Sequence, residues 1–137
     1  MVRRAALTVA AVLLLAGCVY YPTVIDIGGT RIRTQNGRAV PDGDGAKVYF
    51  DVNSTGKYGD FLVGVLAAPV AKQALVIDGG APVSRLEIPG ATTVKFAPEG
   101  PHVVLSDLPR PLAKGETFIV TLQFEKSGGI GVVTVVE

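Results

Sequence analysis

The sequence predicts an all-β fold, an antiparallel β-sandwich of seven to nine short strands. Two observations carry that expectation: runs of strict apolar–polar alternation, and Gly- or Pro-marked turns in nearly every gap between them. Successive side chains of a strand face opposite ways, so alternation marks a ribbon with one buried face. Residues 47–53 show it, with Val48, Phe50 and Val52 on one side and Lys47, Tyr49, Asp51 and Asn53 on the other. Residues 117–125 repeat it, with Phe118, Val120, Leu122 and Phe124 set against Thr117, Thr121, Gln123 and Glu125. Beyond the N-terminal segment no stretch carries the 3.6-residue period of an amphipathic helix.

The first segment is a leader. Arg3 and Arg4 precede an apolar run over residues 5–16. That run is shorter than the ~20 residues a bilayer-spanning helix needs, but it suits the apolar part of a secretory signal. Leu15-Ala16-Gly17-Cys18 follows and resembles the bacterial lipobox, in which the cysteine thiol is lipidated and the chain is cut before it. Residues 1–17 are therefore expected to be a lipoprotein signal peptide, 18–30 a lipidated N-terminus and linker (with Tyr20 and Tyr21), and 31–137 one β-sandwich domain. Cys18 is the only cysteine, so no disulfide forms within the domain.

The remaining strands are expected at 61–67, 74–77, 84–88, 92–96, 102–107 and 132–136. Turns are expected at Gly28-Gly29, Pro41-Asp42-Gly43, Asp78-Gly79-Gly80, Pro89-Gly90, Pro98-Glu99-Gly100 and Gly128-Gly129. Residues 132–136 are apolar on both faces. Either loops cover the second face, as in a central strand, or it is an exposed patch that docks a partner or a lipid.

Charge excludes one class of partner. The chain holds 13 basic and 12 acidic residues, and loss of Arg3 and Arg4 leaves it close to neutral. It has no basic field to hold nucleic acid. Membrane attachment would come from the acyl chains on Cys18, because two or more chains anchor stably.

Residues 46–136 hold in order Ala46-Lys47-Val48-Tyr49-Phe50, Asp60-Phe61-Leu62-Val63-Gly64-Val65 and Leu86-Glu87-Ile88-Pro89-Gly90. They continue with Gly100-Pro101-His102-Val103-Val104-Leu105, Leu108-Pro109-Arg110-Pro111-Leu112 and Lys114-Gly115-Glu116-Thr117-Phe118. On these pieces the chain resembles the periplasmic copper chaperones of the PCuAC family, in particular a lipoprotein branch from actinobacteria. The resemblance implies a cupredoxin- or immunoglobulin-like sandwich. It also implies a copper site of two histidines and two methionines, the last pair arranged His-x-Met. Residues i and i+2 of a strand face the same side, so both reach one ion, and thioether sulfur selects soft Cu(I).

At the positions the resemblance assigns, this chain reads Ile77, Gly80, His102 and Val104. Only His102 carries a donor. Met1 is the only methionine and leaves with the leader, while Cys18 becomes a thioether bearing lipid. The expectation is a degenerate metal site, with no certain cofactor and copper raised by the resemblance alone. Ile77 and Val104 suggest instead that the former metal face is a small hydrophobic contact surface.

Other constellations point to turns. Asp42-Gly43-Asp44-Gly45 lacks the third acidic position and the distal glutamate of a calcium loop, and reads as a tight turn. Ser84, His102 and Asp107 are the residue types of a hydrolytic triad, but no Gly-x-Ser-x-Gly surrounds a serine. Gly79-Gly80 precedes no P-loop lysine, and Asn53-Ser54-Thr55 reads as a strand-end turn. The expected function is a non-enzymatic binding or accessory module on the extracytoplasmic face of the cell membrane, holding an envelope protein partner. The alternative is a copper-handling chaperone acting through His102.

Overall fold

The computed structural model describes residues 30–137, all of it strand, turn and loop. Cys18, the leader and Gly28-Gly29 lie outside the described residues. Ten strands follow in order. They are β1 (Ile32–Asp42), β2 (Gly45–Ser54), β3 (Asp60–Leu66), β4 (Gln73–Asp78), β5 (Ala81–Pro82), β6 (Leu86–Ile88), β7 (Thr92–Phe96), β8 (His102–Ser106), β9 (Thr117–Phe124) and β10 (Gly128–Val136). They pair in the order β5-β4-β8-β2-β1-β10-β9-β3-β6, with β7 on β2. The ladder curls so that its two halves share one core, the sandwich the alternation predicts.

The inward rows are the predicted ones. Val48, Phe50 and Val52 of β2 meet Val120 and Leu122 of β9, with Leu62, Val103, Leu105 and Val132, in a single buried cluster. Phe50 stacks on Phe96 with ring centroids 4.4 Å apart, an offset that aromatic quadrupoles favour.

Three features depart from the sequence reading. β1 was not expected, because its polar residues give no alternation. It forms because β2 on one side and β10 on the other supply its backbone partners, and a bulge between Gln35 and Arg38, with Asn36 at φ 59°, breaks the side-chain period. The ladder is not wholly antiparallel: β1 and β10 run parallel, Arg38 opposite Val135. No hairpin joins these two strands, so no turn dictates their direction. Finally, the strands number ten rather than seven to nine, β1 and the two-residue β5 being the additions. The second face of β10, which the sequence leaves open, is exposed among the described residues, with Val133 67% exposed.

One buried carboxylate ties the β9–β10 turn to β3. Asp60, 1% exposed, accepts hydrogen bonds from the backbone N–H of Phe61 and Lys126 and from the N–H and hydroxyl of Ser127. Burial pushes its carboxyl up, but these donors together outweigh it and hold the group below its ordinary value of 3.8.

Candidate functional site

β8 brings His102 and Val104 onto the outer face, two residues apart. Pairing with β4 sets Ile77 opposite His102 and Leu75 opposite Val104. On the other side of β8, Lys47 of β2 lies opposite Val104. Tyr49, two residues further along β2, comes beside His102, with ring centroids 6.1 Å apart and planes tilted by 57°. Arg38 of β1 pairs with Tyr49 and carries its guanidinium 5.4 Å from the ring centroid. One row therefore crosses four strands: Ile77, His102, Tyr49, Arg38.

The structure thus unites three of the positions singled out in the sequence. Gly80 stands three residues beyond Ile77, at the tip of the β4–β5 hairpin. Gly79 and Gly80 have φ of 66° and 82° between paired Asp78 and Ala81, the backbone of a two-residue hairpin loop that favours glycine. Cys18, the proposed lipidation site, lies outside the described residues.

His102 is partly buried, and its Nδ1 lies 3.1 Å from the Gly100 carbonyl oxygen. A carbonyl only accepts, so Nδ1 carries the hydrogen, and in the neutral ring Nε2 then presents a lone pair. Metal-binding histidines use this same second contact to fix their tautomer. The neighbours of His102 along the row are aliphatic Ile77 and aromatic Tyr49. Among the described residues no three His, Cys, Asp or Glu side chains gather where they could hold an ion.

Sequence reasoning missed Tyr49 and Arg38. Alternation set Tyr49 on the polar side of β2, and it is indeed on the outer face. Yet it is only 7% exposed, because Arg38 and His102 flank it. Only the strand pairing reveals this, since Arg38 sits on the strand that was not foreseen.

The hydrolytic types do not converge. Asp107 follows the far end of β8, about 16 Å from His102 at ~3.3 Å per residue, and Nδ1 of His102 is engaged by Gly100. The Asp42–Gly45 segment is the β1–β2 turn, with Gly43 at φ 59° and Asp42 paired to Lys47 at 3.7 Å. Elsewhere, hydrogen bonds from Arg110 and from the Ala113 N–H hold the Glu116 carboxyl below the usual carboxylate range.

An all-β sandwich of this kind is the fold of the PCuAC domains. Three solved structures share it. The "Copper-bound PCuAC domain from PmoF2" superposes with a TM-score of 0.69 at 24% identity, over 77% of this chain and 92% of that one. "CuI-DR1885" from Deinococcus radiodurans gives 0.69 at 23%, over 82% and 83%. The "Apo PCuAC domain from PmoF1" gives 0.67 at 26%, over 82% and 96%.

Within this class the chain belongs to the LpqE-like family, described as "Putative lipoprotein LpqE-like", whose profile matches residues 25–136. A relative from Leifsonia xyli subsp. xyli (strain CTCB07), "Putative lipoprotein Lxx21020", is 32% identical over 133 residues. That match covers 87% of this chain and 80% of the relative. The family resemblance read from residues 46–136 is thereby confirmed.

Proposed function

We propose that this protein is a lipid-anchored, non-enzymatic binding or accessory module on the extracytoplasmic face of the cell membrane. In this reading its former metal face serves as an apolar contact surface for an envelope protein. The observation that carries it is the pairing of Ile77 with His102 and of Leu75 with Val104. Aliphatic side chains, Ile77 and Val104, occupy two of the four positions at which the family resemblance calls for donors, and Leu75 is 48% exposed beside them. A soft ion needs thiolate, thioether or imidazole groups converging on it, and here a single imidazole stands alone. The anchor is supported by the lipobox ending at Cys18 and by the lipoprotein names of the family and of the relative from Leifsonia.

Two experiments test this. Cys18→Ser should abolish incorporation of labelled palmitate and release the protein from the membrane fraction; persistence of both would refute the anchor. Val104→Glu places a charge in the apolar face. It should eliminate crosslinking to envelope partners, and unchanged capture would sink the contact-surface reading.

A second reading keeps copper, and the Nδ1–Gly100 contact favours it by leaving Nε2 free to bind. Titration of Cu(I) and Cu(II) against competing chelators, with His102→Ala alongside, separates the two. Submicromolar binding lost in the variant would establish copper handling through His102. Binding no tighter than that of an ordinary surface histidine supports the accessory module.

A further inference from the structure

The bulge in β1 brings its cations into line. Between Gln35 and Arg38 the strand advances three residues while β2 advances two, from Asp51 to Tyr49. Without that extra residue Arg38 would face the opposite way from Arg33 and Gln35. With it, Arg33, Gln35 and Arg38 all stand on the outer face, opposite Asn53, Asp51 and Tyr49 in turn. β7 completes the face from the other side, with Thr93 opposite Asn53 and Lys95 opposite Asp51.

Two cavities hollow this face. One, of about 620 Å3, has Arg33, Gln35, Asn53, Thr55 and Thr93 in its lining. The other, of about 460 Å3, takes in Arg38, Asp51 and Lys95. They follow one another along β2, so the groove runs from Asn53 to Tyr49, about 13 Å at ~3.3 Å per residue.

The cations of the groove are unspent. The ion pairs among the described residues are Lys47–Asp42, Arg85–Glu125 and Arg110–Glu116, so Arg33, Arg38 and Lys95 have no carboxylate partner there. Asp51 is the only carboxylate lining either cavity, and its Oδ2 accepts from Nδ2 of Asn36 at 2.9 Å. Asn36 lies within the bulge, at φ 59°. One irregularity thus aligns the cations and occupies the acid between them. The Thr93 hydroxyl donates to Oδ1 of Asn53 at 2.9 Å, which leaves Nδ2 of that amide as a further donor on the residue opposite Arg33. Overall neutrality of the chain conceals this separation of charge.

We infer that this groove binds a hydroxyl-bearing oligomer carrying two or more oxyanions, phosphate or carboxylate. Cationic donors without a free acid select an acceptor-only anion, and the guanidinium fork matches both groups. The distance between Arg33 and Arg38 selects more than one anion on the same ligand. Gln35 on the flank, with Thr55 and Thr93 at the Arg33 end, offers hydrogen bonds to the hydroxyls of adjoining units. Nucleic acid does not suit the groove, because the Tyr49 ring is 7% exposed between Arg38 and His102 and has no face on which a base could stack. A bilayer surface is recognised by clusters of about four to eight cations, more than this face holds. The groove needs neither the apolar contact of Ile77, Leu75 and Val104 nor the anchor at Cys18.

The test uses the full chain extracted in detergent, with fluorescently labelled oligomers followed by anisotropy. A glycerol-phosphate oligomer or an oligogalacturonate should bind saturably, and neutral dextran should not. Which of the two binds more tightly tells phosphate from carboxylate. Arg33→Gln and Lys95→Gln should each weaken that binding at least fivefold. Lys72→Gln, which removes an exposed cation just before β4, should change it less than twofold. Asp51→Asn removes the one acid of the groove and should tighten binding at least threefold, a gain that misfolding does not mimic.

Saturable binding of neither anionic oligomer overturns the inference, as does equal binding of dextran. So does a loss in Lys72→Gln as large as that in Arg33→Gln, which would mean diffuse attraction to surface charge. Absence of a gain in Asp51→Asn overturns it too, since the acid would then not oppose the ligand. Inorganic phosphate should compete at least tenfold less well than the phosphate oligomer or the uronate oligomer, whichever binds; parity would refute a ligand held at two points.

Discussion

Asp60 and Ser127 are joined twice: the Ser127 N–H and its hydroxyl both donate to Oδ2 of Asp60, at 2.8 and 2.7 Å. The pair links the first residue of β3 to the turn between β9 and β10, although the residues stand far apart in the chain. Oδ1 takes the Lys126 N–H at 2.9 Å and the Phe61 N–H at 2.7 Å. The carboxylate therefore satisfies four donors, three from the turn and one from β3.

Replacing Asp60 with Asn removes the charge and turns one acceptor into a donor facing the donors of Ser127. The expected loss is about 2–3 kcal/mol at neutral pH, the scale of a broken charge-assisted hydrogen bond left buried. The pH dependence follows from the lowered carboxyl. Its contribution is fully present above the ordinary value of 3.8 and is lost as pH falls through the lower folded value. Urea unfolding from pH 7 to pH 3 should show the gap between wild type and Asp60→Asn narrowing at the acid end. A constant gap would mean that Asp60 acts by shape alone.

The sandwich was legible in the sequence because β2 and β9 alternate over long runs, and a buried face imposes that period. β7 was read with both ends right, since Pro89-Gly90 and Pro98-Glu99-Gly100 bracket a β-branched run. β1 was illegible for the converse reason: its side chains face solvent more than core, and backbone pairing alone holds it. His102 and Val104 were legible as a pair because residues i and i+2 of one strand share a face, and Ile77 was assigned through the family resemblance. Their neighbours Tyr49 and Arg38 depend on register between strands distant in sequence, which a single chain does not display. The exposure of Val133 was hidden likewise, because an apolar side chain reads the same whether a layer covers it or not.

Glycine at position 90 is required by contact. A Cβ there would overlap the Lys57 carbonyl oxygen, a backbone atom that cannot step aside. Gly79 differs: its φ is 66°, but a Cβ there meets nothing within 4 Å. Gly90→Ala should therefore cost about 3 kcal/mol as an overpacked backbone contact. Gly79→Ala should cost about 1 kcal/mol, the penalty of a left-handed alanine. Urea midpoints of the two variants, compared at equal m-value, check the order; equal losses would contradict it.

The two faces of the β strands should respond very differently to truncation. Phe50 is 1% exposed and stacked on Phe96, so Phe50→Ala removes a ring from a closed core. A loss of about 4 kcal/mol is expected, from transfer and cavity together. Val133 keeps its β-branched shape as threonine at an exposed site, and Val133→Thr should change stability by less than about 0.5 kcal/mol. Thermal unfolding of both variants tests the contrast. A large loss in Val133→Thr would show that the outer face of β10 is packed in the folded monomer.

Restoring donors on the His102 face should restore soft-metal binding. Ile77 stands directly opposite His102, and Val104 lies two residues along the same strand, on the same side. Ile77→His with Val104→Met would then bring two imidazoles and a thioether to one patch, with the Nε2 of His102 already presented by the Nδ1–Gly100 contact. Three converging soft or borderline donors suit Cu(I), where one imidazole does not. The double variant should bind Cu(I) at least ~100-fold more tightly than the parent, about 2.8 kcal/mol, measured by competition with a chromophoric chelator. Adding His102→Ala should return the affinity to the parent level. If the double variant gains nothing, the face has lost more than its donors, and the hairpin at Gly79-Gly80 becomes the next segment to exchange.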